Sequence, residues 1–129
     1  MLKRFLILCL LPILLCACTK NQQEEITFSS WGSVTEVGIL NEIIKEYEKE
    51  NPKVKINFIH IPQNYFQKIH LLFASNQAPD VIFINNLYLP LYYSKLETLN
   101  DIVNIQDFNS KSIEAMSIDG KLYAVPRDI

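Results

Sequence analysis

The pattern of hydrophobic and polar positions along this chain predicts β-strands in three places. Residues 26–31 alternate and contain strong β formers, which predicts a first strand ending at Gly32. Residues 53–58 alternate in the same way, so the second strand is expected to have one solvent-exposed face. Residues 81–84 form an uninterrupted apolar run after Pro79, which predicts a third strand buried on both faces.

Two amphipathic segments separate these strands and predict helices. Ser33 and Glu36 have the spacing of a capping box at the start of the first helix. Its apolar side chains recur on one face, at Val37, Leu40, Ile44 and Tyr47 with Ile43 beside them. The second helix begins near Tyr65 and repeats apolar residues at helical spacing, at Phe66, Ile69, Leu72 and Phe73. Prolines end both segments.

The predicted element order is strand, helix, strand, helix, strand. Right-handed crossovers wind such a βαβαβ unit into a parallel sheet with helices on its faces. Because the second strand is expected to have an exposed face and the third to be buried, we expect the strand order 2-1-3. Ligands of open α/β sheets bind beyond the carboxyl ends of the strands where the order reverses. This places Trp31-Gly32 and Asn85-Asn86 at the candidate site.

The remaining residues carry local signals of shorter elements. Residues 87–93 are apolar around a central proline, which predicts a short irregular helix or a turn. Residues 112–116 predict one helical turn. Asp119-Gly120 tolerates the positive φ angles of a type I′ turn, so residues 117–123 predict a hairpin with a return strand over 122–125.

The amino-terminal residues have the features of a targeting segment, and they hold all three cysteines. Lys3 and Arg4 precede an apolar run too short to span a bilayer. Leu15-Cys16-Ala17-Cys18 then resembles a bacterial lipobox, which implies cleavage after Ala17 and acylation of Cys18. We expect residues 1–17 to be a lipoprotein signal peptide, residues 18–25 a lipidated polar tether, and residues 26–129 the folded lobe. An ordinary secretory signal is the alternative.

Charge and residue spacing argue against several function classes. The formal net charge is −2 and lysines are scattered among glutamates, so no nucleic-acid partner is expected. His60 and His70 lack the spacing of a helical metal pair. Gly32 stands alone where a phosphate loop needs several glycines, and no Gly-x-Ser-x-Gly motif occurs. The sequence therefore predicts no catalysis, no metal and no cofactor.

Taken together, the segments of the chain resemble a known family. The lipobox and five further segments occur in that family's order and spacing: 26–32, 43–52, 65–68, 78–81 and 119–126. The resemblance is to the carbohydrate-binding family 1 of extracellular solute-binding proteins of bacterial ABC importers. It implies a periplasmic-binding-protein-like (type II) α/β fold. Family members are much longer and have two lobes, so we expect an N-terminal fragment whose second lobe is missing.

The resemblance implies a function, a location and partners. A lipid-anchored binding protein at the extracytoplasmic face of the membrane, in a periplasm or at the cell surface, would capture a sugar or oligosaccharide. It would deliver that ligand to ABC permease subunits, and we expect a monomer. Two alternatives remain open from the sequence. One is a lipid-anchored half lobe without transport function, and the other is a binding protein for a peptide or polyamine.

Sugar recognition requires a flat aromatic ring and fixed polar groups around the hydroxyls, which selects candidate ligand-binding residues. Trp31 is the candidate stacking platform, beside Gly32 where backbone approaches closely. Asn85 and Asn86 are candidate hydroxyl-binding amides. The alternatives are a half-buried core role for Trp31 and capping of the following turn for the two amides.

Three further candidates have weaker support, and one polar residue is assigned to structure. Tyr65 is expected to project toward the cleft, or else to pack on its helix. Arg127 and Asp128 resemble the segment by which family members reach the cleft, although a mutual salt bridge is the alternative. Asp80 lies at the amino end of its strand, away from the predicted site, so a structural role is expected.

Overall fold

The fold is described from a computed structural model over residues 23–127. The βαβαβ unit consists of β1 (Glu24–Ser30), α1 (Val34–Glu50), β2 (Val54–His60), α2 (Tyr65–Ala74) and β3 (Val81–Ile82). It is followed by α3 (Leu89–Tyr92), two 3₁₀ turns (Tyr93–Lys95 and Ile105–Asp107), α4 (Ser110–Ala115), β4 (Ser117–Ile118) and β5 (Lys121–Leu122). The predicted signal peptide and Cys18 lie outside the described residues.

The three strands of the unit form one parallel sheet with β1 at its centre. The order is β2-β1-β3, which confirms the predicted 2-1-3 arrangement. Pairing of β1 with β2 extends from Glu24 opposite Val54 to Ser30 opposite His60. The first strand therefore begins two residues earlier than the alternating pattern predicts, because the backbone of Glu24 and Glu25 also pairs with β2.

Helix α1 begins at the predicted capping box. The Ser33 hydroxyl accepts from the Glu36 amide, and the Glu36 carboxylate accepts from the Ser33 amide at 2.8 Å. Its predicted apolar face is less buried than expected: none of its residues is fully buried, and Ile43 and Tyr47 are 59% and 44% exposed. The helix packs mainly against β2, so only part of this face meets the sheet.

Helix α2 supplies two of the four side chains of the buried core cluster, Tyr65 and Ile69. Ile69 is fully buried, and Ile61, Tyr65 and Tyr92 complete the buried cluster. Half-buried apolar side chains surround this cluster, including Phe66, Leu72 and Phe73 from the same helix. The helical periodicity read from the sequence is thus confirmed here.

The prediction of a fully buried third strand is wrong in the described residues. Regular pairing of β3 covers only Val81 and Ile82, and Val81 is 48% exposed. The Phe83 amide still donates to the Ser29 carbonyl, at 3.0 Å. One edge of the apolar run of residues 81–84 lies along β1. The other edge of this run lines an open groove.

Asp80 joins the start of β3 to the middle of β1, which agrees with its predicted structural role, but its predicted position away from the site is wrong, because it also lines the groove described below. Its carboxylate accepts from the Thr27 amide at 2.7 Å and from the Thr27 hydroxyl at 2.6 Å. The Asp80 amide donates back to the same hydroxyl at 2.9 Å. These bonds favour the ionised carboxylate and hold the pKa of Asp80 below its usual value.

The segment after β3 folds into the short elements that the sequence indicates. The hairpin of β4 and β5 turns at Asp119 and Gly120, whose φ values of 51° and 74° fit the predicted type I′ turn. The return strand ends at Leu122, earlier than predicted. Its partner strand β4 begins only at Ser117, directly after the C-terminal cap of α4 at Met116. Leu122 is buried and its amide donates to the Asn100 side chain.

Candidate functional site

A groove of about 720 Å³ runs along the unpaired edge of β3. Residues 79–86 line it on the sheet side, and residues 123–127 line it from the segment that follows the hairpin. Parts of the 3₁₀ turn at Tyr93–Lys95 and of α4 contribute as well. Four predicted site residues line this groove together: Trp31, Asn85, Asn86 and Arg127. The prediction that the strand ends converge is therefore reproduced by the structure.

Trp31 sits half-buried at the end of β1 within an aromatic cluster. Its ring meets Tyr65 edge-on at 4.9 Å between centroids, Phe66 at 5.4 Å and Phe83 edge-on at 5.5 Å. Such contacts fix the orientation of the indole while part of it still lines the groove. The sequence left open whether Trp31 is half-buried in the core or lies at the site. In the structure the side chain is half-buried and also lines the groove.

Tyr65 lies under this cluster and does not reach the groove surface. It is only 6% exposed, and its hydroxyl donates to the Ser29 carbonyl at 3.1 Å while lying 2.9 Å from the Ser29 hydroxyl. Burial raises the pKa of Tyr65 to about 12. The expectation that Tyr65 projects toward the cleft is corrected: its helix turns the ring inward, where it supports Trp31.

Gly32 gives the chain a sharp turn immediately after Trp31. Its φ of +135° is a region that side chains rarely adopt, and an added Cβ would lie 3.2 Å from a Glu36 carboxylate oxygen. The Gly32 carbonyl accepts from His60 Nε2 at 3.0 Å. Gly32 therefore shapes the loop that presents Trp31, and His60 fixes that loop to the end of β2.

The two asparagines after β3 differ in their surroundings. The Asn85 side-chain oxygen accepts from the amides of Leu87 and Tyr88, both at 3.1 Å. This is the turn-capping geometry weighed from the sequence, and it orients the Asn85 side chain at the groove. Asn86 is exposed and also lines the groove.

Arg127 connects the groove to the start of α1. Its guanidinium lies over the Phe83 ring at 5.0 Å and pairs with the Glu36 carboxylate at 3.5 Å. Asp128 lies outside the described residues. The sequence did not indicate Phe83 or Glu36 as site residues. The apolar run around Phe83 predicts a buried strand residue, and the spacing of Glu36 from Ser33 predicts a helix cap.

Two structural findings bear on metals and membranes. Within residues 23–127 no cluster of His, Cys, Asp and Glu side chains has the arrangement of a metal site. In the same part of the chain, no helix is both long and apolar enough to cross a membrane.

The sequence of the chain matches the model of a known family. A family model described as bacterial extracellular solute-binding protein matches residues 31–128. The chain belongs to this family. The family is one of binding proteins that act outside the cytoplasm, and its model extends from the candidate platform Trp31 to the segment after the hairpin.

Curated relatives of this chain are also named as binding proteins. An uncharacterised ABC transporter extracellular-binding protein of Pyrococcus horikoshii is 30% identical, over 81% of this chain and 26% of its own length. A lactose-binding protein of Rhizobium radiobacter is 24% identical, over 99% of this chain and 32% of its own. The chain thus spans about a quarter to a third of the length of these relatives.

Solved structures of binding proteins share the fold. A family 1 extracellular solute-binding protein from Alicyclobacillus acidocaldarius has a TM-score of 0.74 at 28% identity, covering 81% of this chain and 28% of that one. The sugar-binding protein MalE from Xanthomonas citri has a TM-score of 0.70 at 27% identity, covering 79% and 28%. The βαβαβ unit with its hairpin corresponds to part of one such protein.

Proposed function

We propose that this chain is the amino-terminal, carbohydrate-binding part of a substrate-binding lipoprotein of an ABC transporter. The observation that carries the proposal is the convergence of Trp31, Asn86 and Arg127 on one groove that runs along the edge of a parallel sheet. An aromatic ring flanked by an amide and a guanidinium has the chemistry that binds the apolar face and the hydroxyls of a sugar. Relatives named lactose-binding and sugar-binding support the same ligand class.

The way the site is held supports a binding role. Trp31 is fixed by three aromatic neighbours, Arg127 by Phe83 and Glu36, and the loop at Gly32 by His60. Groups positioned in advance lose less conformational entropy when a ligand binds. The groove is open to one side, so a sugar bound here keeps an exposed face. In a two-lobed protein, the second lobe would cover that face.

The test is a titration of the full chain with lactose. The chain is purified in a detergent without a sugar headgroup, and backbone amide shifts are followed by NMR as lactose is added. We expect saturable shifts confined to residues 31–36, 83–86 and 123–127, with weak affinity because part of the ligand stays exposed. Shifts spread evenly over the surface, or none, contradict sugar binding at this groove.

The lipid anchor is a separate part of the proposal, supported by the lipobox that ends at Cys18. Acyl chains on Cys18 would hold the lobe at the extracytoplasmic face of the membrane, within reach of permease subunits. Replacement of Cys18 by Ala should move the protein from the membrane fraction to the soluble fraction or leave it uncleaved. Mass spectrometry of the wild type should show acylation on Cys18, and an unmodified cysteine would contradict the anchor.

A further inference from the structure

An ion pair joins Arg127, which lines the groove, to Glu36 in the first turn of α1. Arg127 Nη2 and Glu36 Oε1 are 3.5 Å apart, and the two side chains are 45% and 42% exposed. Arg127 lies over Phe83, whose ring meets Trp31 edge-on. A ligand in the groove would therefore meet a guanidinium whose charge is paired with a carboxylate.

The Glu36 carboxylate is held in place independently of Arg127. Its other oxygen accepts from the Ser33 amide at 2.8 Å and from the Ser33 hydroxyl at 3.0 Å, as part of the capping box. The cap belongs to a helix of 17 residues, so the carboxylate is built into the fold. A negative charge thus remains beside Arg127 whatever the groove contains.

The charged side chains that line the groove are balanced before Glu36 is counted. Asp80, Lys95 and Glu97 line it along with Arg127, which gives two acidic and two basic side chains. Asp80 is occupied by Thr27. A guanidinium without a neighbouring acid attracts carboxylates strongly, often through two parallel hydrogen bonds. With Glu36 at 3.5 Å, that attraction is offset and an anionic ligand is repelled.

We propose that the pair of Glu36 and Arg127 makes this groove select uncharged sugars and reject sugar acids. The hydroxyls of a sugar accept hydrogen bonds without carrying a charge, so they pair with Arg127 while Glu36 balances the charge of the guanidinium. A ligand carboxylate satisfies Arg127 only by approaching Glu36. This inference rests on the proposed sugar-binding function and specifies its ligand class.

The test compares two ligands and two variants. Methyl β-D-glucopyranoside and methyl β-D-glucuronide differ only at carbon 6, so their affinities isolate the effect of one carboxylate. Glu36→Gln removes the negative charge and keeps the cap, because glutamine also serves at this position of a capping box. Glu46→Gln is the matched control: Glu46 lies on the same helix, 61% exposed, and pairs only with Lys49 among the described ion pairs.

We expect the wild type to bind the glucoside more tightly than the glucuronide. In Glu36→Gln the glucuronide should bind about 2–5-fold more tightly, as a half-exposed charge pair allows, and the gain should shrink in high salt. Glu46→Gln should behave as wild type. A wild type that prefers the glucuronide, or an unchanged glucuronide affinity in Glu36→Gln, overturns the inference.

Failure of the proposed function would look different. If the folded wild type binds neither glycoside nor lactose, sugar binding itself is refuted, and the selectivity inference falls with it. If lactose and the glucoside bind but the charge of Glu36 has no effect on the glucuronide, only the selectivity inference is refuted. Thermal melts of each variant confirm that every comparison uses folded protein.

Discussion

The Tyr65 hydroxyl donates to the Ser29 carbonyl and lies 2.9 Å from the Ser29 hydroxyl, which joins α2 to the central strand beneath the candidate sugar platform. Both residues are buried. Because Trp31 rests edge-on against the Tyr65 ring, the position of the indole depends on this hydrogen bond. The groove and the core are thus coupled through one tyrosine.

Removing this hydrogen bond should destabilise the lobe. Tyr65→Phe should lower the free energy of unfolding by about 1–2 kcal/mol, since it leaves the Ser29 groups with fewer partners. Ser29→Ala should cost less, because it removes only the contact between the two hydroxyls and leaves the hydrogen bond to the Ser29 carbonyl in place. Ser30→Ala is the matched control: its hydroxyl is the one buried side-chain group in residues 23–127 found without a partner, so its removal should cost nothing or stabilise. Urea denaturation of the three variants checks the order, and equal losses would contradict it.

Tyr65 should also give the lobe a stability that depends on alkaline pH. Its folded pKa of about 12 exceeds the ordinary 10.0, so the folded state holds its proton more tightly. The corresponding stabilisation is fully present below pH 10.0 and is lost as the pH rises toward about 12. Urea denaturation at stepped alkaline pH should show a steeper loss for wild type than for Tyr65→Phe. Parallel curves for the two proteins would contradict the assignment.

Asp80 should act at the acidic end of the pH range. Its folded pKa lies below the ordinary 3.8, so its stabilisation is present above that pH and is lost as the pH falls through the folded pKa. Thr27→Val removes the hydroxyl and should cost about 1–2 kcal/mol at neutral pH. The variant should also flatten the acid branch of the stability curve. An unchanged acid branch would show that Thr27 does not set the pKa of Asp80.

Gly32 should not tolerate a side chain. Gly32→Ala places a Cβ at a φ of +135° and 3.2 Å from the Glu36 carboxylate, so it should lower stability by about 1–3 kcal/mol. Gly38→Ala is the control within α1, where nothing lies within 4 Å of the added Cβ. That change should stabilise by up to about 1 kcal/mol, because alanine is the better helix former. If both variants lose stability equally, the strain at Gly32 is not the cause.

The elements and their order follow from local patterns in the sequence. The capping box at Ser33, the proline stops and the Asp119-Gly120 turn each act within a few residues, so a single sequence suffices to place them. The order 2-1-3 follows from the contrast between a half-exposed strand and an apolar one, together with the handedness of the crossovers.

Side-chain directions depend on contacts between distant residues, which local patterns do not contain. Tyr65 sits at the first position of α2, and contacts with distant residues such as Ser29 and Trp31 hold it inward. Glu36 is visible as a cap, yet its pairing with Arg127, 91 residues along the chain, appears only in the fold. The exposed fraction of Val81 likewise depends on which elements pack around β3. The apolar run of residues 81–84 contains no information about those elements.

A fluorescence titration of Trp31 tests the central claim most directly, because this is the single tryptophan of the chain. Lactose is added to the full chain, and a sugar alcohol at equal concentration serves as the control for viscosity and refractive index. We predict a saturable change in emission with lactose that Asn86→Ala weakens. An emission spectrum that lactose leaves unchanged, in a chain shown by circular dichroism to be folded, would contradict a sugar site at this groove.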